Sequence, residues 1–167
     1  MAVIDNSRPL SVNTREIRGQ QLMEQVKALA RRWFEEVWNQ RRDEAIQELA
    51  AHDAIAHLES GVVINGAEVF KSFRDNLLAA LPDMKVEVEA VIADGDAAVV
   101  RWNFVGSHKG EGFGFKPTGR TIQARGLTWF RFEDGKIVEG WDSWNQSATF
   151  QRMIGDDPAS DSAFRAI

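Results

Sequence analysis

Apolar residues recur at two different periods along this chain, and the change from one to the other falls at Pro82. Upstream, Leu22, Val26, Leu29, Trp33 and Val37 follow the three-to-four spacing of an amphipathic helix, and Asn13 with Glu16 has the form of a capping box at its start. Asp43 opens a short second helix carrying Ile46 and Leu49, after which Ala51 to Gly61 turns irregular or extended. Asn65 with Glu68 offers another capping box, and Val69, Phe73, Leu77 and Leu81 continue one helical face until Pro82, which lacks an N–H and stops the helix.

Beyond Pro82 the period becomes two. Met84, Val86 and Val88 alternate with Lys85, Glu87 and Glu89, and Asp94-Gly95-Asp96 turns the chain into a strand from Ala97 to about His108. A further strand runs from Thr121 to Phe132, and Glu133-Asp134-Gly135-Lys136 turns it into a last one from Ile137 to Trp144. Asp-Gly between two β-prone runs is a strong hairpin signal, because both central residues must take positive φ. Three helices followed by an antiparallel meander define an α+β chain. The whole of 1–167 reads as a single domain, with an N-terminal arm over 1–12 and a polar, Pro-broken tail over 155–167.

Composition narrows the function. The 167 residues and 44% hydrophobic content suit one globular core, and no apolar run reaches the length of a membrane span. The N-terminal MAVIDNSRPL lacks a basic segment followed by an apolar one, so the expected compartment is the cytoplasm. A net charge of -5 argues against nucleic-acid binding, which needs a concentrated basic face. Without cysteine there is no disulfide, thiolate metal site or cysteine nucleophile. His52, His57 and His108 are separated by loops and supply no metal-ligand spacing. GEGFGF and GFKPTG read as turns, since no helix follows them to bind phosphate.

Several segments carry a family resemblance: VVRW (Val99 to Trp102), GSHKG (Gly106 to Gly110), PTGR (Pro117 to Arg120) and DGKIVEGW (Asp134 to Trp141). In their order and spacing they resemble the SnoaL-like polyketide cyclases, a family sharing the nuclear transport factor 2 (NTF2) and ketosteroid isomerase fold. The resemblance continues upstream through LPDMKVEVE and AHDAIAH to the Trp-rich first helix. It implies an NTF2-like (cystatin-like) cone, with N-terminal helices packed in a curved sheet around a hydrophobic pocket for a small organic ligand, and no required cofactor. It leaves two functions open: a cofactor-independent cyclase or isomerase acting through an enolate, and a noncatalytic binding or accessory protein.

Strand parity decides which side chains can meet in such a pocket. Val99, Arg101, Asn103 and Val105 share one face of their strand, and Val100, Trp102 and Phe104 the other. Similarity to limonene epoxide hydrolases, whose corresponding strand carries an Arg-x-Asp pair in the cavity, implies that Arg101 and Asn103 face the pocket, joined by Trp141, Ser143 and Asn145 from the last strand. Epoxide hydrolysis itself is not expected, because Asn103 and Ser143 stand where those enzymes carry aspartates. Asn145 occupies the place where family cyclases carry an acid, with Asp142 nearby at opposite parity.

For acid–base chemistry the candidates are therefore His57 in Asp53-x-x-x-His57, His108, Asn145 and Asp142; histidine titrates near neutral pH. Arg101 and Asn103 are candidate electrostatic anchors for an enolate, with Arg101 pairing to a carboxylate such as Glu139 as the structural alternative. Trp33 and Trp141 are the favoured aromatic pocket liners, and Ser143 completes the substrate-binding set. Without tyrosine, the oxyanion hydroxyl of ketosteroid isomerases needs a substitute. Large apolar groups on both faces of the strands predict that one face packs on helices and the other on a second copy, giving a homodimer through the sheet.

Overall fold

A computed structural model describes residues 14–155. Helix α1 (Thr14–Arg32) runs directly into a π-helical segment, Trp33–Asn39, followed by α2 (Asp43–Leu49). Two strands, β1 (Ala50–His57) and β2 (Val63–Asn65), precede α3 (Ala67–Ala80). The meander comprises β3 (Lys85–Asp94), β4 (Ala97–Ser107), β5 (Thr121–Glu133) and β6 (Lys136–Trp144), and α4 (Gln146–Ile154) closes the described chain. The six strands form one curved sheet in the order β2-β1-β6-β5-β4-β3. The α+β class and the helices cradled by the sheet are as expected. The Asn13 side of the first capping box, the arm and the tail beyond Gly155 lie outside the described residues.

Three local details differ from the periodicity reading. The segment Ala51 to His57 takes the extended alternative as part of β1, and what differs is its parallel pairing with β6, which makes the sheet mixed. Parallel pairing needs a long crossover, and α3 with the meander supplies it. The Asn65–Glu68 capping box does not form: Asn65 pairs with Ile55 as the end of β2, and Gly66 at φ 89° occupies the N-cap without a side-chain bond. Helix α4 was not anticipated, although its punctuation was present in Asn145 at the N-cap and Gly155 in the left-handed conformation at the C-cap. The β5–β6 turn follows expectation, with both Asp134 and Gly135 at positive φ.

The core lies between the helices and one face of the sheet. Val26, Ala30, Trp33, Phe34 and Val37 pack against Val100, Trp102, Phe104, Phe130 and Trp144, all buried. Two polar devices hold the helices there. Asn39 mimics a neighbouring strand: its side-chain amide donates to the Val86 carbonyl and accepts from the Val86 N–H, both at 2.9 Å. Arg74 on α3, only 2% exposed, is neutralised by Asp43 and Asp75 and donates to the Val37 carbonyl. Burial of a guanidinium is tolerable only with such pairing, and Arg74 therefore ties α3 to the start of α2 and the π-helical segment.

Candidate active site

The buried face of the sheet and the helices opposite enclose a cavity of about 80 Å³. The π-helical segment contributes Trp33, Phe34 and Trp38; α3 contributes Phe70, Phe73 and Leu77; the strands contribute Trp102, Phe104, Thr128, Phe130, Asp142 and Trp144. A π turn widens the helix and often marks a functional site, and here it sets three aromatic residues on the cavity. Trp33 packs on Phe70 at 4.9 Å between ring centroids, and Trp38 meets Phe70 edge-on. Gly126 leaves the space that Trp102 fills, since a Cβ there would come within 2.7 Å of the indole.

Among the described residues, Asp142 is the one ionisable group lining the cavity. Its Oδ1 accepts a 2.5 Å hydrogen bond from the Thr128 hydroxyl, which in turn accepts from the Trp102 indole N–H at 2.8 Å. Burial raises the Asp142 pKa from the ordinary 3.8 to about 6, against the opposing effect of the Thr128 hydrogen bond. Removal from water disfavours the carboxylate, and among the described residues no cation lines the cavity to restore it. The result is a carboxyl that exchanges its proton near neutral pH, as a general acid–base requires. Trp33, Trp38 and Trp144 also line the cavity, and an indole side chain carries one N–H donor.

The remaining sequence candidates lie away from this cavity, Asn103 and Asn145 together on a separate groove. Arg101 and Asn103 lie on the opposite face from the cavity, where both bond to Glu89 and hold its pKa low, Asn103 most. Arg101 is paired with Glu89 rather than Glu139. Ser143 is exposed, and Trp141 stacks on His57 at 5.2 Å and 8° between ring planes, both on the outer face. His57 Nε2 lies 2.9 Å from Glu139 Oε1, and this bond, with Arg131 nearby, lowers the Glu139 pKa. Asn145 caps α4, accepting from the Ala148 N–H at 2.9 Å, and borders a separate polar groove beside α4.

His108 is fully buried in the β4–β5 connection, its Nδ1 3.1 Å from the Thr118 hydroxyl, and it does not line the cavity. Of the nine candidates, Trp33 and Asp142 meet at the cavity. Trp102, Thr128, Asp142 and Trp144 line this cavity, whereas Arg101, Asn103, Trp141 and Ser143, expected on a pocket face, lie outside it. The physical reason is that the cavity is a gap in the hydrophobic core, so it opens on the most apolar strand face. Following Val100, Trp102 and Phe104, instead of an analogy with charged pocket residues, would have found Thr128. Among the described residues no three His, Asp or Glu side chains gather to hold a metal.

A curved sheet wrapped around N-terminal helices is the NTF2-like or ketosteroid isomerase-like fold. A profile of the SnoaL-like polyketide cyclases matches residues 28–153, and the chain belongs to that family. Among solved structures, the Jannaschia sp. CCS1 protein assigned as a SnoaL-like polyketide cyclase aligns over 80% of this chain and 94% of its own, at 23% identity and a TM-score of 0.74. AclR from Streptomyces galilaeus, assigned as a hydroxylase, is 28% identical over 84% of this chain and 87% of its own, with a TM-score of 0.72. IdmH from Streptomyces antibioticus, assigned as a polyketide cyclase, is 27% identical over 75% and 96%, with a TM-score of 0.66. No curated protein sequence matches the chain.

Proposed function

We propose that the protein is a cofactor-independent cyclase or isomerase that moves protons on a small hydrophobic carbonyl compound, with Asp142 as the general acid–base. The observation that carries this reading is the solitary carboxyl of Asp142 in an aromatic cavity, poised near neutral pH by burial. Ionised Asp142 takes a proton from the carbon beside a carbonyl. The C–H electron pair becomes the enolate double bond, and the carbonyl π pair moves to oxygen. In a β,γ-unsaturated ketone that enolate is a dienolate, and the protonated carboxyl returns its proton to the γ carbon as the carbonyl re-forms and the double bond moves into conjugation, which is isomerisation. Alternatively the enolate carbon bonds to a second carbonyl of the same molecule, and the resulting alkoxide takes the proton, which is cyclisation. Indole N–H groups of Trp33, Trp38 and Trp144 are the donors available to the developing oxyanion, a part that tyrosine plays in ketosteroid isomerases.

A cavity of about 80 Å³ is smaller than the roughly 300 Å³ at the lower end of ligand pockets. A compact ketone fits the reading directly, while a ring system requires the half-buried Trp38, Phe70 or Phe73 to swing. Deuterium exchange into a panel of enolisable ketones of increasing size, followed by NMR, tests it. Exchange by the protein and its loss in Asp142→Asn support the assignment, and exchange unaffected by that substitution sinks it. The small volume also favours a second reading, ligand binding without turnover. In that case ketones bind, and the wild-type protein exchanges no deuterium.

For the outer face we propose a second copy of the chain as the partner. Ile92, Leu127 and Trp129 are exposed there at 71%, 46% and 51%, an apolar strip of the kind that marks an interface. With a two-fold axis along β4, between two facing sheets, β3 of one copy lies over β5 of the other. The register puts Ile92, Val99 and Trp129 at one level, and Glu87, Asn103 and Arg125 at another. Ile92 would then meet Trp129, and Glu87 would meet Arg125, across the axis. This self-complementarity of shape and charge is what an isologous dimer needs.

A further inference from the structure

The hydrogen-bond chain behind ionised Asp142 has only one direction. An indole nitrogen donates and never accepts, so the 2.8 Å contact from Trp102 must end on the Thr128 oxygen. An ionised carboxylate can only accept, so in that form the single proton of the Thr128 hydroxyl is directed along the 2.5 Å contact to Asp142 Oδ1. Oδ1 is thereby committed as an acceptor. Oδ2 has no hydrogen-bond partner among the described residues, and it is not among the fully enclosed unpaired atoms, so it keeps surface of its own on a residue that lines the cavity. Thr128 and Trp102 themselves are 5% and 6% exposed, which shields the chain from competing water.

We propose that Trp102 and Thr128 are positioning residues that reserve Asp142 Oδ1 as an acceptor and leave Oδ2 as the single oxygen through which the cavity gains and loses its proton. The proposal rests on the acid–base reading of Asp142 and specifies how that acid is oriented. It also assigns the chain a role in holding the ionised form within reach: the Thr128 bond favours the carboxylate, opposing the burial that disfavours it. No competing titratable group needs to be considered at close range. The cavity residues supplied by the π-helical segment, α2, α3 and β1 to β6 include no other acid, base or histidine.

The test is a pH titration of the Asp142 carboxyl by 13C NMR in protein labelled at aspartate, assigned by its disappearance in Asp142→Asn. Thr128→Val should raise the midpoint by about one unit, a tenfold gain in proton affinity, because a hydrogen bond to the charged form is lost. Thr128→Ser should return it to the wild-type value, and Trp102→Phe should raise it by less than Thr128→Val. If the valine variant does not fold, the wild-type protein still provides a reading. The Trp102 indole 15N–1H resonance should titrate with the Asp142 midpoint and become pH-independent in Asp142→Asn.

A valine variant that titrates like wild type, or an indole resonance indifferent to Asp142, overturns the proposal. The outcome for the underlying function is separate. Shifted titration with no deuterium exchange on any ketone retires the acid–base reading and leaves the positioning intact. Exchange whose acid limb stays in place in Thr128→Val retires the positioning and leaves the acid–base reading intact.

Discussion

The two faces of the β4–β5–β6 sheet are built from alternate residues of the same strands, yet they treat a carboxylate in opposite ways. On the outer face, Glu139 is met by His57 and Arg131, and these partners hold its pKa below the ordinary range. Three positions along the same strand, on the inner face, Asp142 has a hydroxyl partner and aromatic walls, and its pKa rises to about 6. Charge partners and solvent make a carboxylate a permanent anion; burial without a cation makes it a proton carrier. The histidine that sequence patterns favour as a base sits on the side where its neighbour is already satisfied.

The sharpest way to break this contrast is to neutralise each acid in turn. Asp142→Asn should lower deuterium exchange or turnover by about 10²- to 10⁴-fold, the usual contribution of a general acid–base, measured at saturating ketone. Glu139→Gln should change the same rate by less than about threefold, since that carboxylate belongs to the outer face. Equal losses in the two variants would erase the distinction between the faces.

Stability should report the same asymmetry without any substrate. Because folding raises the Asp142 pKa above its unfolded value of 3.8, the protein favours the protonated form. That contribution is fully present below about pH 4 and is lost as pH rises through about 6. Asp142→Asn should therefore be more stable than wild type above pH 6, by at most about 3 kcal/mol, with the difference shrinking towards pH 4. Urea denaturation across this range checks it. For Glu139 the sign is reversed: its lowered pKa supports the fold above the unfolded value and ceases to do so as pH falls.

The outer face makes its own prediction about assembly. Glu87→Arg and Arg125→Glu should each weaken self-association by about tenfold in analytical ultracentrifugation, and the double variant should recover it, because the charges are exchanged across the two-fold axis. A wild-type monomer at micromolar concentration, or a double variant no better than the singles, removes the proposed pairing. The smallest effect should come from His57→Ala. A partly solvated His–Glu contact stacked on Trp141 should change stability by about 1 kcal/mol or less in urea melts and leave exchange rates within about twofold.

Much of this architecture was legible in the chain. The change of period at Pro82, the Asp134-Gly135 turn and the alternation of Val100, Trp102 and Phe104 with Val99, Arg101 and Asn103 locate the helices, the strands and the two faces of each strand. Local sterics and period-two geometry act over a few residues, so a sequence can encode them directly. The candidate site was half legible: Trp33 and Asp142 were in view, while nothing in the local pattern singled out Thr128.

What local sequence could not decide is which face holds the cavity. Arg101 and Asn103 look like pocket residues until Glu89, twelve and fourteen positions away, is brought beside them by the β3–β4 pairing. Thr128 looks like filler until the β4–β5 and β5–β6 registers set it between Trp102 and Asp142. Buried Arg74 likewise acquires its meaning only when α2 and α3 bring Asp43 to it. The chain by itself determined the elements and the chemical groups available to them. The tertiary structure decided which acid lost its water and which found a cation, because desolvation and pairing depend on neighbours distant in sequence, and those two energies set the chemistry of a carboxylate.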